Sequence, residues 1–168
     1  EKLPASLGAR ITGLDLRQPL DGATIAAILD AWLKHQVLVF PDQQLSEADQ
    51  IGFSRRFGEF PRRERYELRS EKGTADKSIM LISNICEDGK PIGSLPDGEM
   101  LFHHDMCYVA APDMATLLYA IEPTRDGGHT VFANMYAAWD TLADDLKAAI
   151  AGREVLQVYN YLPTARVS

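Results

Sequence analysis

"LFHHDMCYVAAPDMATLLYAIEPTRDGGHTVFAN" spans residues 101–134. It reads as three strands, 101–108, 114–121 and 129–134, the last two joined by the turn "PTRDGG" at 123–128. The elements around it are mixed. "LGARITGLDLRQPL" (7–20) reads as a short strand and a turn, and "VLVF" (37–40) as a buried strand stopped by Pro41. Between them a helix is predicted over 22–35, because Ile25, Ile28, Leu29, Trp32 and Leu33 recur at helical spacing, with Asp21 or Thr24 as its cap. Ser46 and Asp49 have the spacing of a capping box opening a helix at about 47–57, with Gly58 placed to end it. Residues 61–77 read as a loop, 78–85 as a strand, and 86–98, rich in Gly and Pro, as another loop. A helix over 135–151 and a strand over 154–162 follow. Strands do not alternate regularly with helices, which argues against a doubly wound parallel sheet. A β-sandwich or barrel with helices packed outside fits better.

The chain of 168 residues is one domain's worth, with 46% hydrophobic and 24% charged residues, an ordinary globular composition. Its net charge of −7 and lack of a basic stripe argue against nucleic-acid binding. No apolar run approaches the ~20 residues that span a bilayer, and no signal-peptide pattern opens the chain, so no membrane partner is expected. Glu1 stands first without a Met, so some native residues are expected to precede it. Cys86 and Cys107 are too few for a disulfide framework and fit a reducing cytoplasm.

On a strand, side chains alternate with period two. His103, Asp105 and Cys107 would then share one face, and His104, Met106 and Tyr108 the other. An imidazole and a carboxylate aimed at one point suit a divalent first-row metal. A second His would complete the facial triad of non-haem Fe(II) oxygenases. H-x-D alone is weak evidence. With four His in 168 residues it arises by chance in roughly a third of such chains. A His–Asp hydrogen bond or two surface polar groups are the commoner explanations.

The wider pattern is more specific. "LGARITGLDL" (7–16), "HQVLVFPDQQLSEADQIGFSRRFGE" (35–59), "FHHDMCY" (102–108) and "APDMATLLYAIEPTRDGGHTVFANMYAAWDTL" (111–142) occur in the order and spacing of the TauD/TfdA family, and the chain resembles that family over nearly its whole length. These are Fe(II)- and 2-oxoglutarate-dependent dioxygenases. The resemblance implies a double-stranded β-helix (jelly roll) core with flanking helices, an α+β arrangement, and O2 as the oxidant. It makes His103 and Asp105 iron ligands and Thr130 a contact to a 2-oxoglutarate carboxylate, with Gly127 and Gly128 turning into its strand. His104 is expected to point away from the metal, and His35 and His129 to be structural or exposed. A homo-oligomer, dimer or tetramer, is expected in the cytoplasm.

The substrate side departs from the taurine-specific members. Arg63 stands where they have His, Glu99 where they have Asn and Tyr108 where they have Phe; Tyr66 lies in the same lining segment. "PRRERYELR" (61–69) carries four arginines, and a guanidinium can hold a carboxylate or sulfonate with two parallel hydrogen bonds. A small organic anion is therefore expected as substrate, although a solvated basic loop is the commoner meaning of such a run. The family's second iron-binding His, and the Arg that pairs with 2-oxoglutarate, are expected beyond residue 168. Residues 1–168 are accordingly read as one domain truncated on its C-terminal side and inactive alone. Two alternatives are a non-catalytic member acting as a binding module and a Zn2+ hydrolase using the same residues.

Overall fold

A computed structural model describes residues 1–60, 78–93 and 101–157. Strand β1 (Ala9–Arg10) pairs in parallel with β2 (Leu38–Val39), Ala9 opposite Leu38 and Arg10 opposite Val39. Parallel neighbours need a crossover, and helix α1 (Gly22–His35) supplies it. The Thr24 N–H donates to the Asp21 carboxylate at 2.7 Å and starts the helix. Gln36, in the left-handed region at φ 63°, ends it and turns the chain into β2. Helix α2 (Glu47–Ser54) opens on the expected capping box: the Asp49 N–H donates to Ser46 Oγ at 3.2 Å, and the Ser46 N–H to Asp49 Oδ2 at 2.9 Å. It stops short of residue 57, because Arg56 and Phe57 donate to the carbonyls of Phe53 and Ser54, a tightened last turn.

The core lies where α1, α2 and β2 meet. Leu16, Ile28 and Phe53 are buried there, and Leu14, Ile25, Leu38, Phe40, Phe57 and Leu117 pack around them. Phe53 meets Phe40 and Phe57 edge to face, with ring centroids 5.7 and 5.2 Å away. Leu33, expected on the buried face of α1, is exposed. Gln43 ties the 14–16 segment to the chain after β2. Its Oε1 accepts from the Leu16 N–H at 3.0 Å, and its Nε2 donates to the carbonyls of Leu14 and Pro41, also at 3.0 Å.

The second half departs further from the expected elements. Two two-stranded sheets are the only sheets among the described residues, so the jelly roll is not formed there. Residues 114–121, 129–134 and 154–157 carry no strand, because a strand is defined by a ladder partner and the described residues offer none. Of 78–85, only an isolated bridge at Ile82 remains. Part of the expected 86–98 loop is instead a hairpin, β3 (Cys86–Glu87) with β4 (Lys90–Pro91). Asp88 at φ 50° and Gly89 at φ 74° give the primed turn that matches strand twist. The expected helix over 135–151 is two, α3 (Met135–Thr141) and α4 (Asp144–Ile150). The Thr141 hydroxyl donates back to the Ala137 carbonyl at 2.8 Å, a bond that bends helices. Asp144 and Asp145 then suit a fresh N-terminus. The expected loop at 61–77 and the last residues of the 154–162 strand lie outside the described residues.

Hydrogen bonds from Tyr119, Gln50 and Asn134 join the halves. Tyr119 Oη accepts from the Leu45 N–H at 3.1 Å and donates to the Gln43 carbonyl at 3.3 Å. Gln50 Nε2 donates to the Leu117 carbonyl at 3.4 Å, and Asn134 Nδ2 to the Ser6 carbonyl at 2.7 Å.

Gln43→Leu keeps most of the side-chain volume but strands the Leu16 N–H and the Leu14 carbonyl, and should cost about 1–3 kcal/mol in urea unfolding. A second expectation concerns acid. The Arg17 guanidinium holds Asp15 down to about 2, against an ordinary value of 3.8. The Thr24 N–H lowers Asp21, and the Ser46 hydroxyl and N–H lower Asp49. All three bind protons less readily folded than unfolded. Their stabilisation is complete above about pH 4 and is lost as pH falls through the lowered values. The melting temperature should drop over that window, and Asp49→Asn should make the drop shallower.

Candidate metal centre

Residues 101–108 are not a continuous strand. The chain turns at Asp105–Tyr108, with Met106 in the left-handed region at φ 54° and the Val109 N–H donating to the Met106 carbonyl at 3.2 Å. Ahead of Met106 the two expected ligands, two residues apart, still lie together, with His103 Nε2 3.1 Å from Asp105 Oδ1.

Their hydrogen bonds fix which atoms face each other. His103 Nδ1 lies 2.9 Å from the Leu101 carbonyl. A carbonyl only accepts, so Nδ1 carries a hydrogen, and Nε2 faces Asp105 with its lone pair or, when the ring also holds a proton there, with an N–H. An ionised carboxylate also only accepts. Two acceptors at 3.1 Å are satisfied by a cation between them, either a proton or a metal. First-row divalent ions bind imidazole nitrogen and carboxylate oxygen at roughly 2.0–2.2 Å, so donors on adjacent corners of an octahedron sit about 3 Å apart. The observed separation matches, and both side chains are about half exposed, at 50% and 54%, so an ion can reach them. The donor set fits a metal such as Fe(II).

The other Asp105 oxygen is also held. Thr116 Oγ1 donates to Asp105 Oδ2 at 2.9 Å. Sequence reasoning missed Thr116. Its signal was a threonine in the apolar run "MATLLYA", but nothing local ties it to a residue eleven positions away. Tyr108 Oη donates to Met106 Sδ at 3.3 Å, and Cys107 Sγ to Gln157 Oε1 at 3.5 Å, so Cys107 does not join the pair. Thr130 is exposed and makes no hydrogen bond to His103 or Asp105. His104 and His129 are exposed and His35 is half-buried. Among the described residues no third His, Cys, Asp or Glu completes a metal-binding group. Arg63, Tyr66 and Glu99 lie outside the described residues.

A family model described as "Taurine catabolism dioxygenase TauD, TfdA family" matches residues 1–166. The chain belongs to the TauD/TfdA dioxygenase family. It is 35% identical over 159 residues to the (S)-phenoxypropionate/alpha-ketoglutarate-dioxygenase of Delftia acidovorans, covering 89% of this chain and 50% of that protein. It is 34% identical over 150 residues to the pentalenolactone F synthase of Streptomyces avermitilis, covering 87% and 48%. The chain thus spans about half the length of the curated relatives it matches. A crystal structure of AAD-2 with Mn(II) and N-oxalylglycine aligns at 34% identity and TM-score 0.34, over 35% of this chain and 23% of that one. TauD/TfdA dioxygenases use Fe(II), 2-oxoglutarate and O2 on small molecules. Among the described residues no helix is long and apolar enough to cross a membrane.

Met106 directs the chain leaving Asp105, in a conformation glycine adopts freely and β-branched residues resist. Met106→Gly should therefore keep metal binding, whereas Met106→Val should weaken it, as read by titration with Co(II).

Proposed function

We propose that the protein containing this chain is an Fe(II)- and 2-oxoglutarate-dependent dioxygenase that hydroxylates a small organic anion. The observation carrying this is the His103 Nε2–Asp105 Oδ1 pair, set at the spacing of neighbouring metal ligands in a chain of this family. When bound, Fe(II) supplies O2 activation coupled to oxidative decarboxylation of 2-oxoglutarate, which yields succinate and CO2.

The chain's own residues prepare that chemistry. The Leu101 carbonyl keeps the hydrogen of His103 on Nδ1 and leaves Nε2 free to ligate. Asp105 offers the anionic oxygen. Thr130 is assigned to one carboxylate of 2-oxoglutarate. Arg63, Tyr66, Glu99 and Tyr108 are assigned to the substrate side, where an Arg pairs with an anion. Phenoxypropionate, named for the relative from Delftia acidovorans, is an anion of this class.

We assign residues 1–168 to the N-terminal part of one jelly-roll domain whose remaining part supplies the third ligand, in a cytoplasmic homo-oligomer. The match to about half of each relative supports this. So does the exposure of Leu101, Phe102, Leu118, Ile121, Val131 and Leu156, an apolar surface a complete domain would cover.

The test is succinate formation by the full-length protein in air with Fe(II), 2-oxoglutarate and a panel of aryloxy acids, alkyl sulfates and sulfonates. Succinate should rise with one class and disappear in His103→Ala. A metal-loaded protein that makes none with any of them would instead be a non-catalytic binding module.

A further inference from the structure

Coordination by a carboxylate can use one oxygen or both. Two oxygens take two positions around the ion, and a dioxygenase that must admit both a co-substrate and O2 needs those positions open. What decides the mode is whether the second oxygen is already engaged. In this chain it is. Thr116 Oγ1 donates to Asp105 Oδ2 at 2.9 Å, while Oδ1 is the atom that faces His103 Nε2.

The backbone fixes the direction of that hydroxyl. Leu117 packs against the buried cluster of Leu16, Ile28 and Phe53, and its carbonyl accepts from Gln50. Tyr119 is held by Gln43 and Leu45. Residues 117 and 119 therefore point to the core, and 116 and 118 to the opposite side; Leu118 is accordingly 65% exposed. Threonine is β-branched and stiff about its first side-chain torsion, so the hydroxyl is held as well as aimed.

We propose that Thr116 is a positioning residue for the metal: its hydroxyl occupies Asp105 Oδ2, so that Asp105 meets the ion through Oδ1 alone. The proposal rests on reading His103 and Asp105 as metal ligands, and deepens it. Hydrogen-bond partners that orient metal ligands typically contribute 10–100-fold in affinity.

The test is a titration of the full-length protein with Co(II), without 2-oxoglutarate, followed by visible absorption. Thr116→Val removes the hydroxyl and keeps the shape; it should weaken Co(II) binding about 10–100-fold. Thr116→Ser restores the donor and should bind within about threefold of the parent. Metal-free melting temperatures, read alongside, separate a loss of packing from a loss of metal binding. If Thr116→Val proves unfolded, Thr116→Ala gives the same test with less bulk. Asp105→Ala separates the two readings. If it weakens Co(II) binding while Thr116→Val does not, the metal site stands and the role of Thr116 is overturned. Equal weakening in Thr116→Val and Thr116→Ser overturns it too, because packing rather than the hydroxyl would then be responsible. If Asp105→Ala binds Co(II) like the parent, the metal site and the role of Thr116 both fall.

Discussion

The site depends on how one segment, Thr116 to Tyr119, is fastened to the rest of the chain. Leu117 enters the apolar cluster around Phe53, and the Tyr119 hydroxyl bridges the Leu45 N–H and the Gln43 carbonyl. Each net hydrogen bond contributes only about 1 kcal/mol, so the fastening is modest, but it is directional. Once 117 and 119 face the core, 116 must face away, and that is where Asp105 is met. Core and site are two sides of the same few residues. Gln43 matters to both, since the side chain that closes the 14–16 segment belongs to the residue whose carbonyl receives Tyr119.

The pair itself is poised for a cation. Neutral partners hold its outer atoms, the Leu101 carbonyl at His103 Nδ1 and the Thr116 hydroxyl at Asp105 Oδ2. The inner atoms, Nε2 and Oδ1, are both lone-pair donors at 3.1 Å. A purely structural His–Asp contact would turn an N–H toward the carboxylate. Here one N–H is turned to the backbone, which leaves the inner pair short of a positive charge that a proton or a metal supplies.

What was legible in the sequence is what is settled locally. Asp21 caps α1, and Ser46 with Asp49 boxes α2, because caps act within three residues. Asp88–Gly89 was equally local, yet the surrounding Gly and Pro hid a hairpin that this dipeptide signals strongly. The strands expected over 101–134 are not formed among the described residues, since a strand exists through a partner distant in sequence that a local pattern does not supply. His103 and Asp105 were singled out on a strand that is not formed, yet their side chains do lie on one side of the chain. They meet two residues apart, ahead of Met106, whose positive φ turns the chain only after Asp105. Thr116 was beyond reach for the reason the strands were: its partner is set by tertiary packing. Arg63, Tyr66 and Glu99 rest on resemblance alone.

Burial is distributed unevenly along the chain. Among the described residues the buried hydrophobic ones, Ala9, Leu16, Ile28, Ile51 and Phe53, all precede residue 60, whereas Leu101 and Phe102, beside His103, are 88% and 70% exposed. The N-terminal core is thus closed while the site stands half open. If the remaining part of the domain covers Leu101 and Phe102, it removes water from beside His103 and Asp105 in the same step. Charges interact more strongly as water is excluded, so the grip of these two ligands on an ion would tighten when the apolar face is buried. Completing the fold and completing the metal site would then be one event, driven by side chains that carry no chemistry of their own.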